Sequence, residues 1–129
     1  MTHERITTTG APAAIGPYSQ AIRVGAWLYL SGQIPLIPET GVVLSSDVGE
    51  ETHQVMRNLK AVLTAAGATM QDVVKCTVFL KDLSDFEVVN RVYGSYFGAT
   101  PPARSTVQVA RLPRDARVEI DAIAHLAPR

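Results

Sequence analysis

The fold is decided by residues 48–80, which read VGEETHQVMRNLKAVLTAAGATMQDVVKCTVFL. In the first half, apolar residues recur at the spacing of one helical face, which predicts a helix over Val48–Ala66. Asp47 is expected to cap the start of this helix, and Gly67 supplies the left-handed residue that ends it. The second half, Val73–Leu80, alternates and is rich in β-branched residues, which predicts a strand.

The rest of the chain is predicted by working outward from this helix and strand. Further strands are expected at Arg5–Thr9, Ser19–Val24, Trp27–Ile34, Ala103–Ala110 and Arg117–Leu126. Gly25-Ala26 predicts a hairpin between the second and third strands, and residues 112–115 predict another between the last two. A second helix is predicted over Ser84–Phe97, with Ser84 and Glu87 as a capping box. The order predicts an α+β fold in which a mixed sheet carries two helices on one face.

Length and charge limit the classes of function. The 129 residues fit one domain, 1–129, and leave no room for a separate cofactor-binding module. The formal net charge is zero, which argues against a nucleic-acid or anionic-membrane partner. No apolar run approaches the ~20 residues that span a bilayer, and residues 1–10 lack the apolar stretch of a signal peptide. We therefore expect a cytoplasmic protein.

The cysteine and the histidines give no sign of a metal site or a disulfide. A single cysteine, Cys76, excludes an intrachain disulfide and a cysteine-based zinc site. Its position in an apolar strand favours a buried inert thiol over a nucleophile. His3, His53 and His125 are scattered without the spacing of metal ligands. No metal is therefore expected.

One face of the predicted sheet has a mixed character. It is too apolar to be left wholly in water and too polar for the core of a monomer, and a subunit interface would resolve that conflict. The residues assigned to it are Trp27, Tyr29, Ser31, Thr106, Gln108 and Ile123.

The last two strands contain the strongest candidate site. If their apolar residues share the helix-covered face, pleat parity places the polar residues Arg104, Thr106, Gln108, Glu119 and Asp121 together on the other face. One interpretation is a solvated face with cross-strand ion pairs. The other is a site in which Arg104 grips a small carboxylate and Glu119 orients a water. The pattern alone does not name the substrate.

Two further positions have both a structural and a functional interpretation. The lack of a Cβ at Gly32, after Ser31, allows either a tight bend or the close approach of a ligand. Tyr18 is either a packed aromatic or a hydroxyl donor above a pocket. No P-loop, dinucleotide fingerprint, zinc-protease motif or nucleophile elbow is found in the sequence.

Several stretches together resemble the Rid (reactive intermediate deaminase, RidA/YjgF) family. The resemblance covers nearly the whole chain in the family's order. The stretches that carry it are residues 11–20 (APAAIGPYSQ), 30–35 (LSGQIP), 58–63 (NLKAVL), 78–83 (VFLKDL), 102–105 (PARS), 109–113 (VARLP) and 118–120 (VEI).

This resemblance implies a chorismate-mutase-like homotrimer with sites between subunits and without a metal or an organic cofactor. It implies hydrolytic deamination of 2-imino acids or their enamines, such as 2-aminoacrylate/2-iminopropanoate and 2-iminobutanoate, to 2-keto acids and ammonia. It assigns carboxylate binding to Arg104 and water positioning to Glu119. The residues that it implies around the substrate are Tyr18, Ser31, Gly32, Asn90, Arg104 and Thr106.

The sequence departs from the family pattern at a few positions. Thr106 stands where many members have cysteine, Gln108 where an acidic residue is common, and the loop 98–101 is shorter. No thiol-dependent side activity is therefore expected. Two other functions stay open: deamination of another unsaturated amino acid such as 2-aminomuconate, and keto-acid binding without turnover in a sensing or chaperone-like role. RNA cleavage finds little support in a chain of zero net charge.

Overall fold

The computed structural model describes residues 2–126, and within them a mixed sheet carries two helices on one face. The predicted α+β fold is confirmed. No helix in this range is long and apolar enough to cross a membrane. The strands are β1 (Glu4–Ile6), β2 (Ala21–Val24), β3 (Trp27–Gln33), β4 (Val73–Leu80), β5 (Ala103–Gln108) and β6 (Val118–His125), and the helices are α1 (Val48–Ala65) and α2 (Phe86–Gly94).

Helix α1 forms as its sequence predicts. The Asp47 side chain accepts a hydrogen bond from the Glu50 backbone N–H at 2.9 Å and caps the helix start. Past its end, Gly67 adopts a φ of +78°, which is the left-handed conformation that glycine tolerates best. The apolar face packs into the main core through Val55, Met56, Leu59, Val62 and Leu63, all of which are buried. This packing seats α1 on the sheet.

The strands lie in the order β1-β2-β3-β6-β4-β5. A tight hairpin joins β2 to β3 at Gly25, as predicted, with Val24 opposite Trp27. Strand β5 pairs in parallel with β4, and α2 makes the crossover that a parallel pair requires. Strand β6 lies between β3 and β4, antiparallel to both.

The prediction of a final hairpin is wrong. Strands β5 and β6 are not neighbours, because β4 lies between them. Residues 109–117 instead carry the chain from the sheet edge past β4 to the central position of β6. The cause is the βαβ unit formed by β4, α2 and β5. Because β5 occupies one side of β4, β6 pairs with the other side of β4.

The assignment of all the polar residues to one face is also wrong. Arg104, Thr106 and Gln108 lie opposite the buried residues of β4 and therefore point to the helix-covered face. Glu119 and Asp121 lie opposite Phe79 and Thr77 and point to the other face. The predicted faces of the β6 side chains are confirmed, but the β5 side chains point to the opposite faces from those predicted. Val107, an apolar residue of β5 that the prediction places on the helix-covered face, is 42% exposed on the other face.

Helix α2 starts later and ends earlier than predicted. A short 3-10 turn over Leu83–Asp85 precedes it, and Asp82 rather than Ser84 caps that turn, because the Asp82 carboxylate accepts from the Ser84 N–H at 2.9 Å. The predicted capping box of Ser84 and Glu87 is therefore not formed. At the N-cap of α2 itself, Asp85 makes no side-chain capping bond.

The face of the sheet opposite the helices has the mixed character that the sequence predicts. Trp27 and Tyr29 are 44% and 48% exposed there, and Ile123 lies directly opposite Tyr29. Val107 adds a further exposed apolar residue at the β5 edge. Thr106 and Gln108, which the prediction also placed on this face, belong to the other one.

Candidate active site

Arg104 lies in a cavity of about 430 Å³ at the edge of the sheet. Strand β5 supplies the arginine, and helix α2 and the loop before β5 supply the walls. Apart from Arg104, the lining residues are Asn90, Tyr93, Gly94, Pro101 and Pro102. The structure thus brings together Arg104 and Asn90, two of the residues predicted for the site.

The Arg104 guanidinium is held by neutral groups. Its Nη1 donates to Asn90 Oδ1 at 2.6 Å. Its Cζ lies 5.4 Å from the ring centroid of Phe86 and 5.1 Å from that of Tyr93, within the range of cation–π contacts. Within residues 2–126 Arg104 makes no ion pair. The charge of the guanidinium is therefore available to an anion.

Behind Arg104 lies a small buried polar group made of Cys76, Tyr93 and Thr106. Strand register places Cys76 opposite Arg104, and Thr106 follows Arg104 on the same face. Tyr93 Oη and Thr106 Oγ1 are buried, and the Tyr93 hydroxyl interacts with the Cys76 thiol. Burial raises the pKa of the Cys76 thiol to about 11. The thiol is buried as predicted, and it stays protonated at neutral pH.

A second cavity, of about 390 Å³, contains Glu119. Its polar wall unites the predicted residues Tyr18, Ser31, Gly32 and Glu119, and its remaining wall is largely apolar. The other lining residues are Pro12, Ile15, Gln33, Ile34, Leu36, Pro113 and Arg114. Four segments of the chain meet here, and β3 and β6 carry Ser31, Gly32 and Glu119.

The Glu119 carboxylate lies directly against Gly32. A Cβ added at Gly32 would fall 2.2 Å from Glu119 Oε2, closer than atoms can approach, so the missing side chain makes room for the carboxylate. Burial, with a smaller contribution from the charge of Asp121, raises the pKa of Glu119 above its ordinary value. Such a carboxylate accepts a proton more readily than an exposed one, which suits a group that deprotonates water.

Tyr18 and Ser31 present hydroxyl groups to the same cavity. Ser31 Oγ donates to the Ser19 carbonyl at 2.5 Å, so its lone pairs remain free to accept a hydrogen bond. Tyr18 is 50% exposed, and its hydroxyl accepts from the Ile15 N–H at the long distance of 3.5 Å. Tyr18 is thus a hydroxyl-bearing wall residue rather than a packed core aromatic.

The two cavities are far apart within one chain. Glu119 and Arg104 lie two strands apart, which is about 10 Å, and about three residues apart along the strands, which is about another 10 Å. Their side chains also leave opposite faces of the sheet. A single chain therefore cannot apply both groups to one small molecule.

Sequence reasoning missed three residues of these cavities. Phe86 and Tyr93 lie in the predicted second helix but are not predicted for the site, yet both rings face Arg104. Their spacing with Asn90, at positions 86, 90 and 93 of one helix face, was a usable signal. Arg114 is also not predicted for the site, yet it lines the Glu119 cavity and donates to the Gly41 carbonyl at 2.9 Å. The left-handed φ of 56° at Arg114 could not be predicted, because residues other than glycine seldom adopt this conformation.

Metal ligands are not assembled in the described part of the chain. Within residues 2–126 no group of three or more histidine, cysteine, aspartate or glutamate side chains is placed to hold a metal ion. Two of the three histidines contact aromatic rings instead, His53 with Tyr96 and His125 with Trp27.

Comparison with known proteins assigns the chain to a family. The profile of the family described as Endoribonuclease L-PSP matches residues 8–126. The chain belongs to the Rid family. A RutC family protein of Pyrococcus abyssi is 53% identical over 97% of this chain and 98% of its own length. The 2-iminobutanoate/2-iminopropanoate deaminase of mouse is 51% identical over 95% of this chain and 91% of its own.

Solved Rid-family structures have the same fold. The crystal structure of Escherichia coli TdcF with bound serine superposes with a TM-score of 0.92 at 46% identity, and covers 96% of this chain and 99% of that one. The fold and the family are therefore those that the sequence predicts. The relatives' names include both RutC and deaminase, so they support a reactive intermediate deaminase without fixing the substrate.

Proposed function

We propose that this protein hydrolyses small 2-imino acids and their enamine tautomers to 2-keto acids and ammonia. The substrates that we propose are 2-aminoacrylate/2-iminopropanoate and 2-iminobutanoate, which the names of the mouse and Salmonella relatives indicate. No metal or organic cofactor takes part in the proposed reaction.

The single observation that supports this proposal most is the unpaired guanidinium of Arg104. It lies in a cavity, its neighbours are neutral, and it makes no ion pair within the described part of the chain. A planar guanidinium in such a setting favours a bidentate contact with a small carboxylate. TdcF, whose structure holds serine, is a relative that binds a small molecule with a carboxylate.

We further propose that the complete site forms between two copies of the chain in a homotrimer. Arg104 of one copy and Glu119 of the next would then face a common space, which one chain cannot achieve. The exposed apolar residues Trp27, Tyr29 and Val107 support association through the open face of the sheet, because a patch of this kind is unfavourable in water.

The proposed chemistry needs only positioning and proton transfer. Arg104 fixes the carboxylate, which places the imine carbon at a defined point. Glu119 orients a water and takes one of its protons as the oxygen attacks that carbon. That proton passes to the nitrogen and gives a tetrahedral intermediate with a hydroxyl and an amino group. The hydroxyl proton then moves to the nitrogen through Glu119, the carbon–nitrogen bond breaks, and ammonia leaves as the keto group forms. In this scheme Ser31 Oγ, whose own proton is donated to the Ser19 carbonyl, accepts a hydrogen bond from the nitrogen.

The test is a coupled assay in which a dehydratase generates fresh 2-iminopropanoate and the release of ammonia and pyruvate is followed. We expect wild-type protein to accelerate the release. Arg104→Ala should lower kcat/KM by more than about 100-fold, because the substrate loses its only fixed charge contact. Unchanged turnover in Arg104→Ala would contradict the proposal, and pyruvate binding without turnover in the wild type would favour a sensing role.

Mixing two inactive variants tests whether the site spans two copies. Arg104→Ala and Glu119→Ala proteins are each expected to be inactive. After subunit exchange, about a quarter of the sites should combine an intact Arg104 from one copy with an intact Glu119 from the next. Activity should return to that fraction. No recovery, despite exchange confirmed by native mass spectrometry, would contradict a shared site.

A further inference from the structure

The face of α2 that contacts Arg104 consists of Phe86, Asn90 and Tyr93. The three residues lie one or two helical turns apart, so their side chains form a row along the helix. Tyr93 is 4% exposed and fixed in the core, and Phe86, at 36%, covers the rim. We name this row the α2 cradle.

Each member of the cradle limits the guanidinium in a different way. The rings of Phe86 and Tyr93 hold the guanidinium by cation–π contacts, with Cζ above each ring at 5.4 and 5.1 Å from its centroid, and so limit its movement. The Asn90 oxygen, 2.6 Å from Nη1, binds one in-plane corner and limits rotation. The other N–H donors lie in the same plane and remain available to a ligand.

We infer that the α2 cradle is the positioning device of the carboxylate site, and that its neutrality lets Arg104 bind an external acid. In this role Asn90 acts on the substrate through Arg104 rather than as a direct ligand. Tyr93 acts through its ring, whose centroid lies 5.1 Å from the Arg104 Cζ, whereas its hydroxyl is buried. The inference rests on the proposed function insofar as the ligand is the carboxylate of a small 2-imino or 2-keto acid.

The neutrality of the α2 cradle is the decisive property, because an acidic residue there would occupy the guanidinium donors that the substrate carboxylate needs. A carboxylate at position 90 would form an internal ion pair with Arg104 and satisfy the donors that the ligand needs. Asparagine keeps almost the same shape and an acceptor oxygen without the charge. Asn90→Asp therefore changes the charge and leaves the packing nearly intact.

The experiment measures the binding of 2-oxobutanoate by titration calorimetry, in parallel with imine turnover. Asn90→Asp should weaken binding by about 10- to 100-fold, as expected for the loss of a charge-assisted contact. Arg91→Gln is the matched control: it lowers the net charge by the same amount on the same helix, at an exposed position outside the cavity. It should bind as the wild type does. An affinity within twofold of wild type for Asn90→Asp would overturn the inference.

The ring of Tyr93 is tested separately from its hydroxyl. Tyr93→Phe keeps the ring and should retain binding, whereas Tyr93→Leu should lose about three- to 20-fold through the cation–π contact. If Tyr93→Leu does not fold, Phe86→Leu at the exposed rim replaces it, with a loss in the same direction. Equal loss in Tyr93→Phe and Tyr93→Leu would assign the effect to the hydroxyl and contradict the inference.

The two measurements separate this inference from the proposed function. Wild-type binding of 2-oxobutanoate without turnover would remove the deaminase function, yet the cradle variants would still test the carboxylate site. Turnover that persists while Asn90→Asp and Tyr93→Leu bind normally would keep the deaminase function and remove the cradle. Failure of the wild type to bind any 2-keto acid would overturn the inference.

Discussion

The Arg104 cavity is lined by residues that are close in sequence, whereas the Glu119 cavity is lined by residues that are far apart in sequence. The first is made by residues 90–104, from one helix, one loop and the strand that follows. The second gathers residues from positions 12 to 119, on four separate segments. The cationic part is thus a local supersecondary unit, whereas the acidic part exists only when the whole sheet has formed.

The long-range cavity is maintained by two buried amides. The Gln20 side chain accepts from the Thr8 N–H and donates to the Pro12 carbonyl, both at 2.7 Å, which fixes the segment before Tyr18. Asn58, buried on α1, donates to the carbonyls of Ile34 and Leu36 at 3.3 and 2.9 Å. Each amide connects the core to a wall of the cavity. The Arg104 cavity depends on neither of them.

Among variants that keep both Arg104 and Glu119, Gly32→Ala should have the largest effect on turnover. The new Cβ would displace the Glu119 carboxylate, and kcat should fall by about 100-fold as the orienting group is lost. The affinity for 2-oxobutanoate should change far less, because Arg104 is untouched. The free energy of unfolding should also change little, since the end of a flexible side chain gives way. Steady-state kinetics and urea unfolding measure these effects.

Gly10→Ala is the control for this substitution. Its Cβ would meet the Ala61 Cβ at 3.4 Å, an ordinary contact, so kcat should stay at the wild-type value. An unchanged kcat in Gly32→Ala would show that the position of the Glu119 carboxylate does not matter for turnover.

Asn58→Ala should destabilise the protein and leave the Arg104 cavity intact. In the buried turn after β3, the Leu36 carbonyl would lose its donor and the Ile34 carbonyl would keep only the Leu36 N–H, which should lower the free energy of unfolding by about 2 kcal/mol. Gln54→Ala, which removes a 2.9 Å bond to Asn58 Oδ1 only, should cost about 0.5 kcal/mol. Urea unfolding at fixed protein concentration measures both. If Asn58→Ala weakened 2-oxobutanoate binding as much as Asn90→Asp, the two cavities would not be independent.

Asp121→Asn should have the smallest effect, and only on the pH dependence. The charge of Asp121 is the lesser cause of the raised pKa of Glu119, so its removal lowers that pKa without restoring the ordinary value. Because turnover needs the ionised carboxylate, the acid limb of the pH–kcat profile should move to lower pH. Asparagine retains an acceptor for the Thr77 N–H, which Asp121 now holds at 2.9 Å. A shift to higher pH would contradict the role of Glu119 as base.

Local patterns predicted most of the secondary structure and the types of residue at the site. Strand β4 has the predicted limits, and α1 has the predicted start and cap. The buried alternation of β6 is correct because its apolar residues, from Val118 to Ala124, are covered on one face. Central elements are predicted well because burial requires apolar residues at regular positions. These are every second residue in a strand and every third or fourth residue in a helix.

The prediction for β5 failed because the strand lies at an edge. Its valine at 107 is exposed, and its arginine at 104 points toward the helices, where two aromatic rings and an amide receive it. Few positions of an edge strand are buried, so its alternation carries little information about which face is the core. The role of Phe86 and Tyr93 could not be predicted for a different reason. Their spacing on α2 is equally typical of a helix face that packs into a core.

The amino-acid sequence by itself determined the α+β class, the limits of the central helix and strand, the family and the residues with useful chemistry. These follow from short-range periodicity and from residue types, which each segment carries independently of its neighbours. Only the tertiary structure decided that β6 enters between β3 and β4, and that Arg104 and Glu119 leave opposite faces of the sheet. Strand order and face depend on which surfaces pack together, and that choice is made by the whole core at once.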